Sequence, residues 1–553
     1  MSAREAPPAT RKLRPAVRWA VAGLAALPAL HLAPFDFDRG AALLFVPFVV
    51  LTVLGRAPAP ASALPRADRL LLVALALAAF AGTVFSPHWA ASLSLIAAWL
   101  WTLAIPTGLH RLRPGALEAG ALLAGAAAGG VLGILLVSVK ALEPDLSAFP
   151  VYGNPRLMGL HLLCGALASM ALLSFHARSR GERVASASLT LALCTGLFWT
   201  GGRAPVLGLA AGGAALLWSS PPESRVRRGL HLTLLTLTAL AFSFAIPPLG
   251  AAAGIGGAWE RSSAATSLAA LSSGRLDFWR VTLRHALEAP WFGHGADAYN
   301  FIRPKQDGNQ PHNFLLQWFV DFGVFGALPL ALLVAHAWFR GAAQSRAAGG
   351  GALAARCGWA CLTGLLVAGL LDGVFYHAIV LVPLVFFLGL MLSSNRVDDP
   401  AERPPLVAKA VWTASLGGAA LLLALHHYLY FSLIAAPPES PRAPAARLLR
   451  VFPCTTNALW RWLEAWKEHE PEASVEWASW ATTHSHVPAI YHAFVGKMLL
   501  DRGDLAGAEK AYRLARATTH HTSRAHFDRI LSLLAKARAE DAAPAAAAPP
   551  DSR

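Results

Sequence analysis

"NFLLQWFVDFGVFGALPLALLVAHAW", residues 313–338, is one of the long apolar runs from which the fold of this chain can be predicted. It is long and apolar enough to cross the roughly 30 Å hydrocarbon core of a bilayer as a helix that rises about 1.5 Å per residue. The run nevertheless follows His312 directly and contains Asp321, two polar residues that membrane crossing does not require. The stretch therefore predicts a transmembrane helix whose polar residues need an explanation.

The composition of the whole chain supports the same interpretation. Of its 553 residues, 55% are hydrophobic and 14% are charged, and the mean hydropathy is +0.46, whereas soluble globular domains are more polar. Apolar runs of suitable length recur about thirteen times along the chain. They cover residues 15–33, 40–55, 69–86, 90–108, 115–138, 157–175, 186–201, 203–218, 229–247, 313–338, 356–373, 375–393 and 409–433. The prediction is an all-α, polytopic membrane protein of about 12–13 transmembrane helices.

Basic residues are concentrated in alternate loops between these runs. The formal net charge is +15, and most arginines fall in loops on the same side as the N-terminus. Because cytoplasmic loops of membrane proteins carry an excess of Lys and Arg, this pattern predicts a cytoplasmic N-terminus. Loop 248–312 and the C-terminal region then lie outside, and the charge distribution favours a membrane partner over nucleic acid.

Cysteine and histidine positions argue against disulfides and metal sites. Four of the five cysteines fall inside predicted spans, and only Cys454 lies in the outer region, so no disulfide framework is available. Cys357 and Cys361 are one helical turn apart but lack further ligands, as do the histidine pairs of the C-terminal half. We expect neither a metal nor another cofactor.

Composition divides the chain into four parts. Residues 1–433 form the predicted membrane body, interrupted by the long outer loop 248–312, in which "LDFWRVTLRHALEAPWFG" has the spacing of an amphipathic helix at the membrane surface. A linker at 434–444 leads to soluble helices at 445–538, whose "RGDLAGAEKAYRLARAT" resembles half of a tetratricopeptide-like hairpin. An ordinary amphipathic hairpin remains an alternative. The tail, 539–553, is expected to be disordered.

Three residues on the outer side carry the predicted chemistry. His312 lies where the long loop meets a span, and an imidazole with an ordinary pKa near 6.5 is suited to accepting a proton. Arg203 and Arg275 lie on the same side, and a guanidinium offers a rigid, permanently charged fork that matches phosphate oxygens. Each residue alone also fits a structural role, as a helix cap or as an arginine that reaches the lipid headgroups. Together they predict a base beside a diphosphate-binding pair.

Four further polar residues are weaker candidates. Asn154 and Arg156 follow an outer loop and are candidates for the donor site, with a turn asparagine and an interfacial arginine as the alternative. Asp321, inside a span, has either a structural or a catalytic role, since buried carboxylates in membranes are costly and usually paired or functional. Asp372, at an outer turn, is a candidate to orient His312 or to contact the acceptor.

Four motifs occur in order along the membrane body: "GNPRLMG" (153–159), "TGGRAPVLG" (200–208), "GRLDFWRVTLRHALEAPWFGHGADAYN" (274–300) and "PHNFLLQWFVDFGVFG" (311–326). The set resembles the O-antigen ligase and polymerase superfamily of bacterial envelope glycosyltransferases. The last two motifs are the more specific, with His312 and Asn313 followed nine residues after His312 by an acidic residue and then by two glycines. The chain departs from a simple twelve-span ligase in its additional span 409–433 and its outer helical domain.

The resemblance implies transfer of a glycan from undecaprenyl diphosphate to an acceptor hydroxyl at the outer face of the bacterial inner membrane, with inversion and without a metal. By that likeness His312 activates the hydroxyl, Arg203 and Arg275 bind the carrier diphosphate, and Asn154 and Arg156 belong to the donor site. Asn313, Asp321 and Asp372 are supporting residues. The implied partners are the lipid-linked donor, a lipid A core or other glycan or protein acceptor, membrane lipids, and a periplasmic protein for the C-terminal domain.

Several activities share this pattern. The first expectation is an O-antigen ligase; the alternatives are an O-antigen or exopolysaccharide polymerase and an O-linked protein glycosyltransferase. A non-enzymatic alternative is a transporter of lipid-linked glycan. That function predicts ionisable residues along a membrane-crossing cavity rather than at one edge of the bundle.

Overall fold

A computed structural model describes most of the membrane body and the C-terminal helices. The described residues are 13–28, 66–112, 116–140, 152, 154–247, 254–267, 272, 275–297, 299, 310–346, 352–393, scattered positions between 414 and 428, 463–464, 466–484, 488–519 and 521–546. All regular structure within these residues is helical, which confirms the predicted all-α class. The predicted span 40–55, most of 409–433 and the linker 434–444 lie outside this part.

The helices follow the predicted runs closely. In chain order they are α1 (Pro15–Ala26), α2 (Arg66–Phe85), α3 (Trp89–Thr102), α4 (Ala104–Leu112), α5 (Ala116–Lys140), α6 (Pro155–Phe175), α7 (Arg180–Trp199), α8 (Arg203–Trp218), α9 (Pro222–Ala245), α10 (Gly254–Ser263), α11 (Arg275–Glu288), α12 (Phe314–Ser345), α13 (Ala352–Gly369), α14 (Ala378–Ser393), α15 (Pro471–His484), α16 (Pro488–Asp501), α17 (Leu505–Thr518) and α18 (His521–Ala546). One predicted run, 90–108, is divided at Leu103 into α3 and α4.

Within the described residues, six helices are long and apolar enough to cross a membrane: α2, α5, α6, α9, α12 and α13. Shorter apolar helices include α8 and a segment of α14. The chain is therefore a polytopic membrane protein, while the number of about 12–13 spans stays a prediction.

Helix α6 occupies the centre of the bundle. Its residues from Met158 to Leu172 are buried without interruption, and it packs against α5, α7, α8 and α13. Close packing of α8 against α13 depends on glycines at the contact: a Cβ on Gly208 would lie 2.6 Å from the carbonyl oxygen of Gly364. Small residues at helix contacts let backbones approach closely in membranes, where lipid is as apolar as the side chains.

The predicted surface helix of the long loop is observed as α11. Phe278, Thr282 and Ala286 on one face are buried, and α11 packs against α12. Leu283 and Leu287 on another face are 43% and 60% exposed, which suits contact with lipid. This arrangement anchors α11 beside the start of α12.

The four C-terminal helices pack as consecutive neighbours, α15 on α16, α16 on α17 and α17 on α18. Gly496 lets α16 approach the ring of Tyr512 on α17, since its Cβ would lie 3.0 Å from the ring. The tetratricopeptide-like identity stays a prediction. Helix α18 continues to Ala546, beyond the predicted start of the tail at 539.

Candidate active site

The N-terminus of α12 fixes the position of His312. Asn313 caps the helix through Oδ1, which accepts hydrogen bonds from the N–H groups of Leu315 and Leu316 at 3.0 and 3.1 Å. Its Nδ2 donates to the carbonyl of Leu370 at 3.1 Å, which ties α12 to the 370–377 loop between α13 and α14. His312 itself has a φ of 52°, in the left-handed region that costs a non-glycine residue free energy and is enriched at functional sites.

His312 is paired with a carboxylate from the 370–377 loop. Its Nδ1 lies 3.1 Å from Oδ1 of Asp372, an oxygen that also accepts the N–H of Gly373 at 2.9 Å. Donation from Nδ1 to the carboxylate selects the tautomer in which Nε2 is free to accept a proton. The edge of Phe278 on α11 packs on the imidazole at a centroid distance of 6.1 Å, so the ring is held from two sides.

The charge of Asp372 is strongly stabilised despite its burial. Burial alone would raise its pKa, but the hydrogen bond from His312, the charges of His312 and Arg156, and the Gly373 N–H outweigh it, and the pKa lies below its ordinary value. A permanently ionised Asp372 stabilises the imidazolium that forms when His312 takes a proton. The second carboxylate oxygen, Oδ2, is buried and has no hydrogen-bond partner among the described residues.

Three arginines surround this pair. Arg275, the first residue of α11, is buried with 9% of its surface exposed. Burial lowers the pKa of its guanidinium, Asp372 raises it, and the like charges of Arg156 and Arg203 lower it further. Arg203, the first residue of α8, has its Nη1 3.2 Å from Oγ of Ser262. The arginines thus bring three positive charges to the neighbourhood of Asp372, a composition suited to a polyanion.

Helix termini add to this positive potential. Arg156, Arg203 and Arg275 each lie in the first turn of a helix, and His312 immediately precedes the cap of a fourth. Helix N-termini carry unsatisfied N–H groups and partial positive charge, which favours anions. Asn154 serves α6 as its N-cap, since its Oδ1 accepts the N–H of Arg156 at 2.9 Å. The alternative considered for it was a turn asparagine, and its place in the donor site stays a prediction.

Asp321 lies deeper, away from the surface. It is fully buried, and one carboxylate oxygen accepts a hydrogen bond from the hydroxyl of Tyr376 in the 370–377 loop. The ring of Trp99 packs against Tyr376 with centroids 5.5 Å apart. Asp321 therefore ties α12 to the same loop that carries Asp372, which corresponds to the structural role considered for it.

A break in α12 accounts for the glycines of the last two motifs, because they allow two backbone segments to approach closely. Gly323 has φ 60° and ψ −169°, outside the helical region. The segment 290–295 fills the gap: the N–H groups of His294 and Gly295 donate to the carbonyls of Val320 and Asp321 at 2.8 and 3.0 Å. In return, the carbonyl of Pro290 accepts the N–H of Val324 at 2.8 Å.

Sequence reasoning did not single out two contacts that support His312 from the loop side. Trp279 donates from Nε1 to the carbonyl of Pro311 at 3.0 Å, and Nε2 of Gln310 lies 2.6 Å from Nε2 of His377. Trp279 could have been identified from its place in the same motif as Arg275. No sequence feature identified Gln310. Among the described residues no group of three potential metal ligands occurs.

An apolar groove of about 280 Å³ runs along α12 and α13. On α12 it is lined by Phe314 and Leu315, beside the cap, and by Trp338 and Phe339, and on α13 by Leu366 and Val367. Leu370, two residues before Asp372, also lines it. The groove therefore places apolar space beside the end of α13 that leads to Asp372.

Comparison with known families identifies the region that carries these residues. Residues 187–331 match the family described as O-antigen ligase. The match includes Arg203, Arg275 and His312 and confirms the resemblance to the O-antigen ligase superfamily, with Arg156 and Asp372 outside the matched range. No curated protein matches the chain. The family match indicates an O-antigen ligase or polymerase type of function and a membrane glycosyltransferase or ligase.

Proposed function

We propose that this protein transfers a glycan from undecaprenyl diphosphate to a hydroxyl of a lipid A core. The observation that carries the proposal is the His312–Asp372 pair, 3.1 Å apart, beside the buried Arg275 and the charges of Arg156 and Arg203. A base that faces a cluster of cations is what displacement of a diphosphate leaving group by an alcohol requires.

The proposed step is a single displacement. Nε2 of His312 takes the proton of the acceptor hydroxyl while that oxygen attacks the anomeric carbon of the donor glycan. The bond from this carbon to the diphosphate oxygen breaks, and the electron pair leaves with undecaprenyl diphosphate, so the configuration inverts. Arg203 and Arg275 bind the departing diphosphate, with Arg156 at its edge, and Asp372 stabilises the imidazolium.

The groove along α12 and α13 supports a lipid carrier. Its lining is almost entirely apolar and starts two residues from His312, so a prenyl chain in the groove would bring its diphosphate to the arginines. We assign the site to the periplasmic side of the inner membrane, with the N-terminus cytoplasmic, on the basis of the alternating basic loops.

The test is glycan transfer by purified protein in lipid, with lipid-linked glycan and lipid A core supplied. We expect His312→Ala and Arg275→Ala to abolish transfer, and Asp372→Asn to lower kcat by roughly 10²- to 10⁴-fold with little change in donor KM, since it acts through His312. His231→Ala and Arg183→Ala, at exposed positions, are matched controls. Full activity of the His312 and Arg275 variants would overturn the assigned site.

The same reaction with other acceptors distinguishes the alternative activities. Growth of the glycan on its carrier without transfer to core would identify a polymerase, and transfer to a protein hydroxyl would identify a protein glycosyltransferase. Movement of the intact donor across the bilayer, with no undecaprenyl diphosphate released, would identify a transporter.

A further inference from the structure

The end of the bundle opposite His312 holds a second cluster of arginines, built around aromatic rings. Helix α12 starts beside His312 and ends at Ser345, so Arg346 lies at its far end, together with the ends of α6 and α8 and the starts of α9 and α13. The guanidinium carbons of Arg228 and Arg356 each lie 4.8 Å from the centre of the Phe175 ring.

These arginines come from different helices and are fixed in place. The shared ring keeps Arg228 of α9 and Arg356 of α13 within about one Debye length of each other, roughly 10 Å at 0.1 M salt. Arg356 Nε donates to the carbonyl of Ser345 at 3.0 Å. Arg346 stacks on Trp218 with its guanidinium carbon 4.6 Å from the ring centre. Cation–π contacts of this kind orient a guanidinium while leaving donors at its edge available.

No ion pair neutralises these arginines in the described part of the chain. None of Arg228, Arg346 and Arg356 forms an ion pair with a carboxylate there. Glu223, on the first turn of α9, interacts electrostatically with Arg228 without pairing with it, and Arg227 adds a like charge. Nη1 of Arg228 is buried without a hydrogen-bond acceptor. Like charges held together with an unsatisfied buried donor favour an anion that supplies both charge and acceptor oxygens.

We propose that Arg228, Arg346 and Arg356 bind the phosphate of an anionic phospholipid headgroup. The position of the cluster favours a lipid ligand. Phe175 and Trp218 are the last residues of α6 and α8, and aromatic rings at the ends of membrane helices are enriched at headgroup depth. The outer face of α9 exposes Val226 and Leu230 by 84% and 68%, a surface suited to acyl chains. Basic sites between helices at the cytoplasmic end are typical of anionic lipid recognition.

The test measures phosphatidylglycerol bound to the intact protein by native mass spectrometry and by titration in nanodiscs of otherwise zwitterionic lipid. We expect Arg228→Gln with Arg356→Gln to weaken binding about fivefold for each arginine removed. Arg180→Gln with Arg183→Gln removes the same charge from exposed positions at the same end, and this control is expected to retain wild-type binding.

A variant that keeps both charges separates a built site from general attraction. Phe175→Leu removes the ring that holds the two guanidiniums, and we expect weaker phosphatidylglycerol binding with glycan transfer preserved, which also reports that the protein is folded. Equal losses in the two double variants, or no loss in either, would overturn the site. Binding of inorganic phosphate by the wild type without any preference for phosphatidylglycerol would overturn the lipid assignment.

Discussion

At the scale of single residues, the site depends on a buried carboxylate that stays charged. Asp372 is 3% exposed, yet its hydrogen bond to His312 and the nearby positive charges hold its pKa below the ordinary value. If either side chain is truncated, the other is left without its hydrogen-bond partner. His312 also occupies a left-handed backbone conformation, so its placement depends on the cap at Asn313 and on the 370–377 loop.

We predict that Asp372 makes the protein sensitive to acid in a defined direction. Because its pKa is lower in the folded state than the unfolded value of about 3.9, the carboxylate contributes stability above that value and loses it as pH falls toward the folded pKa. Thermal unfolding in detergent should therefore show wild type more stable than Asp372→Asn at pH 5–7, with the difference shrinking below about pH 4. A constant difference across that range would contradict the prediction.

At the scale of elements, the break in α12 is the feature that joins the two specific motifs. Gly323 and Gly293 face each other's backbones: a Cβ on Gly323 would lie 2.3 Å from the backbone of Trp291, and a Cβ on Gly293 would lie 2.5 Å from that of Asp321. The segment 290–295 accordingly behaves as an extension of α12. The motifs draw attention to these glycines in the sequence. The sequence does not show that the backbone at Gly293 contacts the backbone at Gly323.

We predict that Gly323→Ala destabilises the protein by at least about 2 kcal/mol, because its φ and ψ are accessible essentially to glycine alone and the added methyl meets backbone. Gly213→Ala on α8 is the matched control, since a Cβ there meets no atom within 4 Å. Thermal unfolding of both variants measures the effect, and equal midpoints would refute this account of the break.

The groove between α12 and α13 gives a second prediction at this scale. Ala335 lines it, and Ala335→Trp should raise KM for a long-prenyl donor about tenfold, equivalent to loss of roughly two buried methylene groups. A water-soluble donor with a short prenyl chain should be unaffected. Ala343→Trp, at an exposed position on the same helix, is the control; an equal change in KM for both donors would show that the groove does not hold the chain.

At the scale of the whole molecule, the two arginine clusters lie at opposite ends of an apolar bundle. Helix positions, the all-α class and the grouping of Arg203, Arg275 and His312 on one side follow from hydropathy and loop charge. The pairing of His312 with Asp372 does not, since the two are 60 residues apart and come together only because α12 and α13 run antiparallel. Asn154 shows another difficulty, because the sequence does not distinguish an asparagine that caps a helix from one that binds a donor.

We predict that the two ends face different compartments. Single cysteines at Arg280, on α11, and at Arg183, on α7, both replace exposed residues, in a background with Cys454→Ala. A membrane-impermeant maleimide applied to spheroplasts should label the first directly and the second only after permeabilisation. The reverse pattern would invert the proposed orientation, and labelling of both would argue against a spanning bundle.

The hydrogen bonds at the Gly323 break also determine which parts of the protein open together. The amides of Val324 and Phe325 are bonded to the carbonyls of Pro290 and Trp291 rather than to the preceding turn of their own helix. Their deuterium uptake is therefore governed by detachment of the 290–295 segment, so loop and helix midpoint exchange as one cooperative unit. Any motion that lifts this segment to admit a bulky glycan also loosens the middle of α12, one span of the bundle.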